Sequence, residues 1–391
     1  MKIVNVKATW VQIPIAEAQQ HTSDFGRART FDTAIVRIDT DSGLTGWGEA
    51  KFSAGSFGDY AGVVAVINNE FAQVLRGENP LHINRLWDTL YNGSRAHHAL
   101  ERGHAFPALG RRGLSISALS GIDIALWDIL GKALDAPVHQ LLGGKRLERM
   151  PAYASGGWAP ASEIGAQLRR YVETGGFRAV KMRVGVQDGS PRCSAERVIA
   201  ARKALGPDIA IMCDAHGTFT VSEAKEFCHL VRDCGVAWFE EPVTADDTRG
   251  LVEVRRATHI AIAAGESEFT RFDFRNLIES GGVDIVQPDL AICGGITETV
   301  RIAALTSAAN LRLAPHLWAG APAFAAGLHV AAASSSAFIL EYSLGANPML
   351  HDLIDESFDV ESGFITIPDR PGLGISPRPD FIERHAVRIG D

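Results

Sequence analysis

Six ionisable residues recur at a near-regular interval in the second half of the chain. Asp214, Glu240, Glu266, Asp289, His316 and Glu341 follow one another every 23–27 residues. Each closes a short apolar run: IAIMCD, VAWFE, IAIAAGE, VDIVQPD, LRLAPH and FILEYS. Three carboxylates gathered in one place repel strongly unless a cation neutralises them. Hard oxygen donors without cysteine suit magnesium, with manganese as a substitute. Glu241 follows Glu240 directly, and strand alternation turns the two differently. A carboxylate beside an imidazole orients the ring and raises its basicity, so Asp289 and His316 read as a general base. Solvated loop carboxylates and helix caps are the plainer alternative, but six residues in one register are hard to obtain that way.

Lys181 and Arg183 lie two apart in the run AVKMRV, so they share one face of a strand. Charged side chains on an inward face need a reason. A bound carboxylate, whose charge grows as an enediolate forms, supplies one. His216, two beyond Asp214, shares that residue's face and is a candidate contact for substrate hydroxyls. Arg27, Arg29, Arg95 and His97 sit in polar loops nearer the N-terminus and are candidate recognition groups for the far end of a substrate, with a plain surface role as the alternative for His97.

The interval of about 25 residues is one strand–helix unit. With MPAYAS and AVKMRV, the six runs make eight strands separated by longer helical patterns. If such strands close into a barrel, their C-terminal ends face one mouth, and residues distant in sequence converge there. The last helix of that series is not evident. Residues 1–50 alternate in strand fashion, with KIVNVKATWVQI as one strand and FDTAIVRIDTDSGLTGWGEA as a hairpin turning at Asp41-Ser42-Gly43. HTSDFGRART between them reads as an exposed loop. YAGVVAVINNEFAQVL, INRLWDTLYN and LSISALSGIDIALWDILGKAL carry helical spacing. The expected division is an α+β domain over residues 1–143, a barrel over 144–345, and a C-terminal segment over 346–391 that returns to the first domain, with a strand within FDVESGFITIPDRPGLGI.

A length of 391 residues suits two domains, and 46% hydrophobic with 21% charged residues permits a large core. The net charge of -8 gives no basic footprint, so no nucleic-acid partner is expected. The five cysteines are odd in number and form no C-x-x-C pair, which points to reduced thiols and a cytoplasmic protein. The opening MKIVNVKATWVQIP reads as a strand rather than a leader. AGAPAFAAGLHVAAASSSAFIL, among the most apolar stretches, is interrupted by glycine, proline and histidine, so no membrane span is expected.

Taken together, GWGE, SGIDIALWDILGK, WFEEP, AAGE, QPD followed by GG, and APH resemble the enolase superfamily in its mandelate racemase branch, over nearly the whole chain. The resemblance implies an α/β fold, a modified (β/α)7β TIM-like barrel with an N-terminal α+β capping domain. It implies Mg2+ on Asp214, Glu240 and Glu266, and His316 with Asp289 as the base. Lys181 would contact a substrate carboxylate, and Glu341 would donate a hydrogen bond to the enediolate. A homo-oligomer, dimer or octamer, is also implied. Members that racemise carry a second lysine where this chain has Arg183. Arginine stays protonated and is a poor base, so one effective carbon base, His316, is expected. That favours elimination or cycloisomerisation over racemisation. The expected function is a Mg2+-dependent lyase that removes the α-proton of an acid sugar, an aldonate or aldarate, and expels its β-hydroxyl to give a 2-keto-3-deoxy acid. A sugar-lactone cycloisomerase is the alternative; a hydroxyproline dehydratase, or an epimerase using Lys181, is more distant. A metal-free phosphate-binding barrel would need a glycine-rich loop near the last strands, for which APHLWAGAP is a poor match. A non-catalytic binding protein would have no use for the carboxylate triad.

Overall fold

Eight short parallel strands run in sequence: Arg149–Gly156, Ala179–Arg183, Ala210–Asp214, Val236–Glu240, Ala261–Ala264, Ile285–Val286, Arg312–Leu313 and Leu340–Ser343. The first seven pair with their neighbours in chain order in this computed structural model, which describes residues 1–20, 22–24, 26–51, 58–107 and 112–388. The eighth strand pairs with the first, from Leu340 opposite Ala152 to Ser343 opposite Ser155. A single parallel bridge, Leu313 to Ala337, joins the seventh to the eighth and closes the barrel. Seven helices connect the strands: Ile164–Gly175, Pro191–Leu205, Val221–Leu230, Thr248–Ala257, Thr270–Ser280, Gly295–Ala308 and Ala321–Ala333. After the eighth strand come two short helices, Pro348–His351 and Pro379–Arg384, in place of a full-length barrel helix. That is the modified (β/α)7β pattern, and it accounts for the missing last helix.

The barrel interior is filled by one apolar layer. Tyr153, Ala179, Met212, Trp238, Ala263, Ile285 and Ala314 pack together at its centre. Because side chains on a strand alternate, the residue two further on faces inward again, one layer nearer the mouth. Those residues are Ser155, Lys181, Asp214, Glu240, Gln287 and His316, with Gly265 in the corresponding place after the fifth strand. The apolar layer is therefore the floor on which the polar mouth stands.

Ile3–Pro14, Thr30–Thr40 and Thr45–Ala50 form a three-stranded antiparallel sheet ahead of the barrel. Helix Leu114–Ala133 lies directly against it, and glycine permits the close approach. A Cβ on Gly48 would stand 2.0 Å from the Gly121 carbonyl oxygen, and one on Gly46 would stand 2.1 Å from that of Ala125. The GWG of the third strand is thus a packing surface for a helix backbone. By length and composition this helix is apolar enough to cross a membrane. Here its apolar surface is mostly buried against protein. Its far side meets the barrel: Thr297 N donates to Asp123 Oδ2 at 2.8 Å, and Trp127 Nε1 to Thr297 Oγ1 at 2.8 Å.

The region read as an exposed loop holds a small hairpin, Thr22–Ser23 paired with Gly26–Arg27. His21 and Phe25 of that region lie outside the described residues. The C-terminal segment also differs from expectation. Its strand Phe364–Thr366 pairs antiparallel with the first barrel strand, Phe364 opposite Pro151, and not with the capping sheet. The first strand begins at Arg149 and leaves its early edge unpaired on that side, which the tail strand fills. Other tail residues do meet the capping domain: Leu373 N donates to Asp128 Oδ1 at 2.9 Å, and Val387 N to the Trp10 carbonyl at 2.8 Å. The five cysteines are free thiols, Cys193 exposed and the others buried.

Candidate active site at the barrel mouth

Asp214 and Glu240 close the third and fourth strands directly opposite each other, and Glu266 follows the fifth. One oxygen from each lies within 4.8 Å of the others. All three side chains are buried. Among the described residues Asp214 Oδ2 and Glu266 Oε2 have ion-pair neighbours, Arg183 and Lys181 for the first and His316 for the second, but no hydrogen bond of good geometry. Buried, converging, under-satisfied carboxylate oxygens are costly unless a cation sits among them, and the donor set fits Mg2+. Glu241 takes a left-handed backbone conformation (φ 38°) and turns aside, where Ser267 Oγ donates to its Oε1 at 3.2 Å. Burial pushes the Glu241 carboxyl well above its usual range, with Glu266 and Glu240 adding to the effect. The alternation argument for Glu240 therefore agrees with the geometry.

Two cations face the triad from the second strand. Lys181 Nζ lies 2.5 Å from Glu240 Oε1, 3.0 Å from Glu341 Oε1 and 3.3 Å from Asp214 Oδ2. Arg183 contacts Asp214 Oδ2 and lies over the Trp318 ring. Burial disfavours the Lys181 ammonium, but Glu240 and Glu341 outweigh it and hold its pKa above the ordinary lysine value. The same contacts hold Glu240 and Glu341 low against their own burial. Glu341 is thus a carboxylate that accepts from Leu317 N at 2.9 Å. In this state it has no proton to give, so donating a hydrogen bond to an enediolate would first require it to take one up.

Asp289 and His316 continue their strands as an isolated parallel bridge. His316 Nδ1 meets Asp289 Oδ2 at 2.8 Å, which leaves Nε2 aimed at the triad, 3.4 Å from Glu266 Oε2. Burial lowers the basicity of the ring, but Glu266, Glu341 and Asp289 more than offset it, so its pKa lies above the usual imidazole value. His216 has the opposite bias. Burial and the nearby Arg183 charge lower its pKa, although Asp24 from the capping hairpin is 2.6 Å from its Nδ1. Its Nε2 lies 3.5 Å from Asp214 Oδ2.

The described contacts of the four other recognition candidates lie within the capping domain. Arg27 donates to Gln20, Arg95 lies over Phe106, and the His97 ring stacks on His98 at 3.9 Å. The Arg29 carbonyl accepts from Ile15 N. Their side chains are exposed. Two site residues were missed by the sequence reading: Asp24, just described, and Lys51. Lys51 is buried and donates to Asp289 Oδ2 at 2.9 Å and to the Trp318 carbonyl at 2.8 Å. Both come from the capping domain, where no strand–helix interval marks a position. The one available signal was Lys51 standing two beyond Glu49, on the same strand face.

The sequence also matches known proteins. Residues 5–143 fit the mandelate racemase / muconate lactonizing enzyme N-terminal domain, and residues 163–381 fit the enolase C-terminal domain-like family. The chain is 34% identical to a D-galactarolactone cycloisomerase of Agrobacterium fabrum, over 96% of this chain and 98% of that one. It is 37% identical to a D-galactonate dehydratase of Ralstonia pickettii, over 87% of each. A racemase from Streptomyces coelicolor with bound magnesium superposes with a TM-score of 0.86 at 29% identity, covering 98% of this chain and 100% of that one. Its relatives divide between acid-sugar dehydratases and sugar-lactone cycloisomerases, and the buried triad agrees with Mg2+-dependent enediolate chemistry. The chain belongs to the mandelate racemase branch of the enolase superfamily, as a metal-dependent enzyme of the lyase and isomerase kind.

Proposed function

We propose that the chain is a Mg2+-dependent dehydratase of an acid sugar, an aldonate or aldarate. The observation that carries this is the one-sidedness of the mouth. His316, backed by Asp289, is a base with a raised pKa, whereas the opposing amine, Lys181, is locked among three carboxylates. A site that returned a proton to the opposite face would need a second group free to give it up.

Asp214, Glu240 and Glu266 would hold the ion, which when bound withdraws electron density from a substrate carboxylate and acidifies the α-carbon. Lys181 and Arg183 stand beside it and stabilise the charge that builds on the carboxylate oxygens. His316 Nε2 takes the α-proton. The imidazolium so formed is favoured by Asp289 and Glu341, and it delivers the same proton to the β-hydroxyl as the carbon–oxygen bond breaks. Water leaves, and the enol tautomerises to a 2-keto-3-deoxy acid. His216 is biased neutral; with Nδ1–H directed to Asp24, its Nε2 lone pair can accept from a substrate hydroxyl. Arg27 and Arg29 follow Asp24 closely in sequence and are proposed, with Arg95 and His97, for the distal end of the substrate. A cytoplasmic homo-oligomer completes the reading, with the free thiols supporting a reducing compartment.

The second reading is a sugar-lactone cycloisomerase, because a D-galactarolactone cycloisomerase matches nearly end to end. The test is incubation of the Mg2+-loaded protein with a panel of aldonates, aldarates and lactones in deuterated water. Ketone formation, seen with a carbonyl reagent and proton NMR, is expected from an aldonate or aldarate. Ketone formed from a lactone by ring opening without loss of water, and none from the aldonates or aldarates, would replace the dehydratase with the cycloisomerase. His316→Asn is expected to lose turnover at least a thousandfold; full turnover would remove His316 as the base.

A further inference from the structure

The third capping strand ends at Ala50, and Glu49 within it and Lys51 just after it, two apart, both reach the barrel. Glu49 is a docking contact. Its Oε1 accepts from Gly320 N at 2.9 Å and its Oε2 from Ala323 N at 3.2 Å, at the start of helix Ala321–Ala333. Carboxylates favour such a helix end, where backbone N–H groups lack partners. Lys51 reaches the reacting histidine's support instead. Its Nζ shares Asp289 Oδ2 with His316 Nδ1 and also donates to the Trp318 carbonyl. Its backbone N donates to the Ala291 carbonyl at 3.1 Å, and Ala291 N donates to Asp289 Oδ1 at 2.8 Å. Asp289 is thereby held at both oxygens, one of them by an ammonium that belongs to the other domain.

We propose that Lys51 is a positioning residue through which the docked capping domain sets the orientation of the His316 base. The inference rests on the reading of His316 as the base. Without the ammonium, Asp289 Oδ2 has only His316 to orient it, and the segment carrying Trp318 loses its tie to Asp289. The ring can then turn Nε2 away from the triad while the fold and the metal ligands remain in place.

The experiment uses full-length protein with Mg2+ alone, labelled with 15N-histidine. The His316 Nδ1–H resonance is assigned by its loss in His316→Asn. Lys51→Met keeps the aliphatic stem and removes the charge. It is expected to move that resonance by more than about 0.5 ppm or abolish it through exchange, with Mg2+ affinity unchanged within about threefold. With the acid sugar found in the panel assay, kcat is expected to fall at least tenfold while KM stays within about threefold. Glu49→Gln is the control, because it weakens docking without touching Asp289. An unmoved resonance in Lys51→Met overturns the proposal, as does an equal displacement in Glu49→Gln, which would assign the effect to docking alone. Full turnover in His316→Asn, by contrast, would sink the base assignment without bearing on whether Lys51 orients the ring.

Discussion

At the scale of single residues, the site is an arrangement of charge that a cation would complete. Glu266 is the point of contact between triad and base, and it is the foremost contributor to the raised pKa of His316. A divalent ion on Glu266 withdraws that contribution, so binding of Mg2+ favours the neutral imidazole. The sign follows from linkage: if the ion lowers the proton affinity of His316, protons compete with the ion. Below the raised pKa of the metal-free site, binding must also displace a proton; above it, it need not. Mg2+ affinity, measured calorimetrically, is expected to rise severalfold between pH 6 and 8, with proton release at the lower pH. In His316→Asn both the rise and the proton release are expected to shrink. Identical pH dependence in the two proteins would mean that the base and the triad are not coupled.

At the scale of elements, what was legible in the sequence follows from repetition. Lys181, Asp214, Glu240, Asp289, His316 and Glu341 stand at comparable places in successive strand–helix units, and one register rule finds them all. The rule survives even where a strand is only two residues long, as at Ile285–Val286 and Arg312–Leu313, because Asp289 and His316 extend the sheet by one bridge. Asp24 and Lys51 sit where a hairpin and a strand end meet another domain, and no period connects them to their partners His216 and Asp289. The tail strand escaped for a similar reason, since its partner edge exists only once the barrel has closed. Helix Leu114–Ala133 illustrates how such long-range ties carry stability. Its buried Asp128 accepts from Trp47 N at 2.9 Å, from Lys132 Nζ at 2.6 Å and from Leu373 N at 2.9 Å, tying the capping sheet, the helix and the tail. Asp128→Ala strands three donors, two of them buried backbone groups. It is expected to cost about 3 kcal/mol of unfolding free energy by denaturant titration, while Mg2+ affinity at the distant triad stays within twofold. A loss below about 1 kcal/mol would show that the junction repacks around the missing carboxylate.

At the scale of the whole molecule, capping domain, barrel and tail meet at a buried histidine. His329 lies on helix Ala321–Ala333; its Nδ1 accepts from His139 N at 3.3 Å, and its Nε2 donates to the Leu373 carbonyl at 3.1 Å. Those partners fix one neutral tautomer, since a proton on Nδ1 would face an N–H donor. Burial, with a smaller contribution from His139, lowers its pKa to about 4. In the unfolded chain the ring takes a proton near the usual value of about 6.5. The depressed folded pKa therefore contributes stability that is complete above about pH 6.5 and is lost as pH falls towards 4. The full span corresponds to about 3 kcal/mol. Because the three regions share this contact, the loss is expected as a lowered midpoint of cooperative unfolding. Denaturant midpoints measured from pH 7 to 4 are expected to fall less steeply in His329→Gln, whose amide can both accept and donate without titrating. Equal slopes in the two proteins between pH 6.5 and 4 would show that carboxylate protonation alone governs the acid limb and that His329 is silent within it.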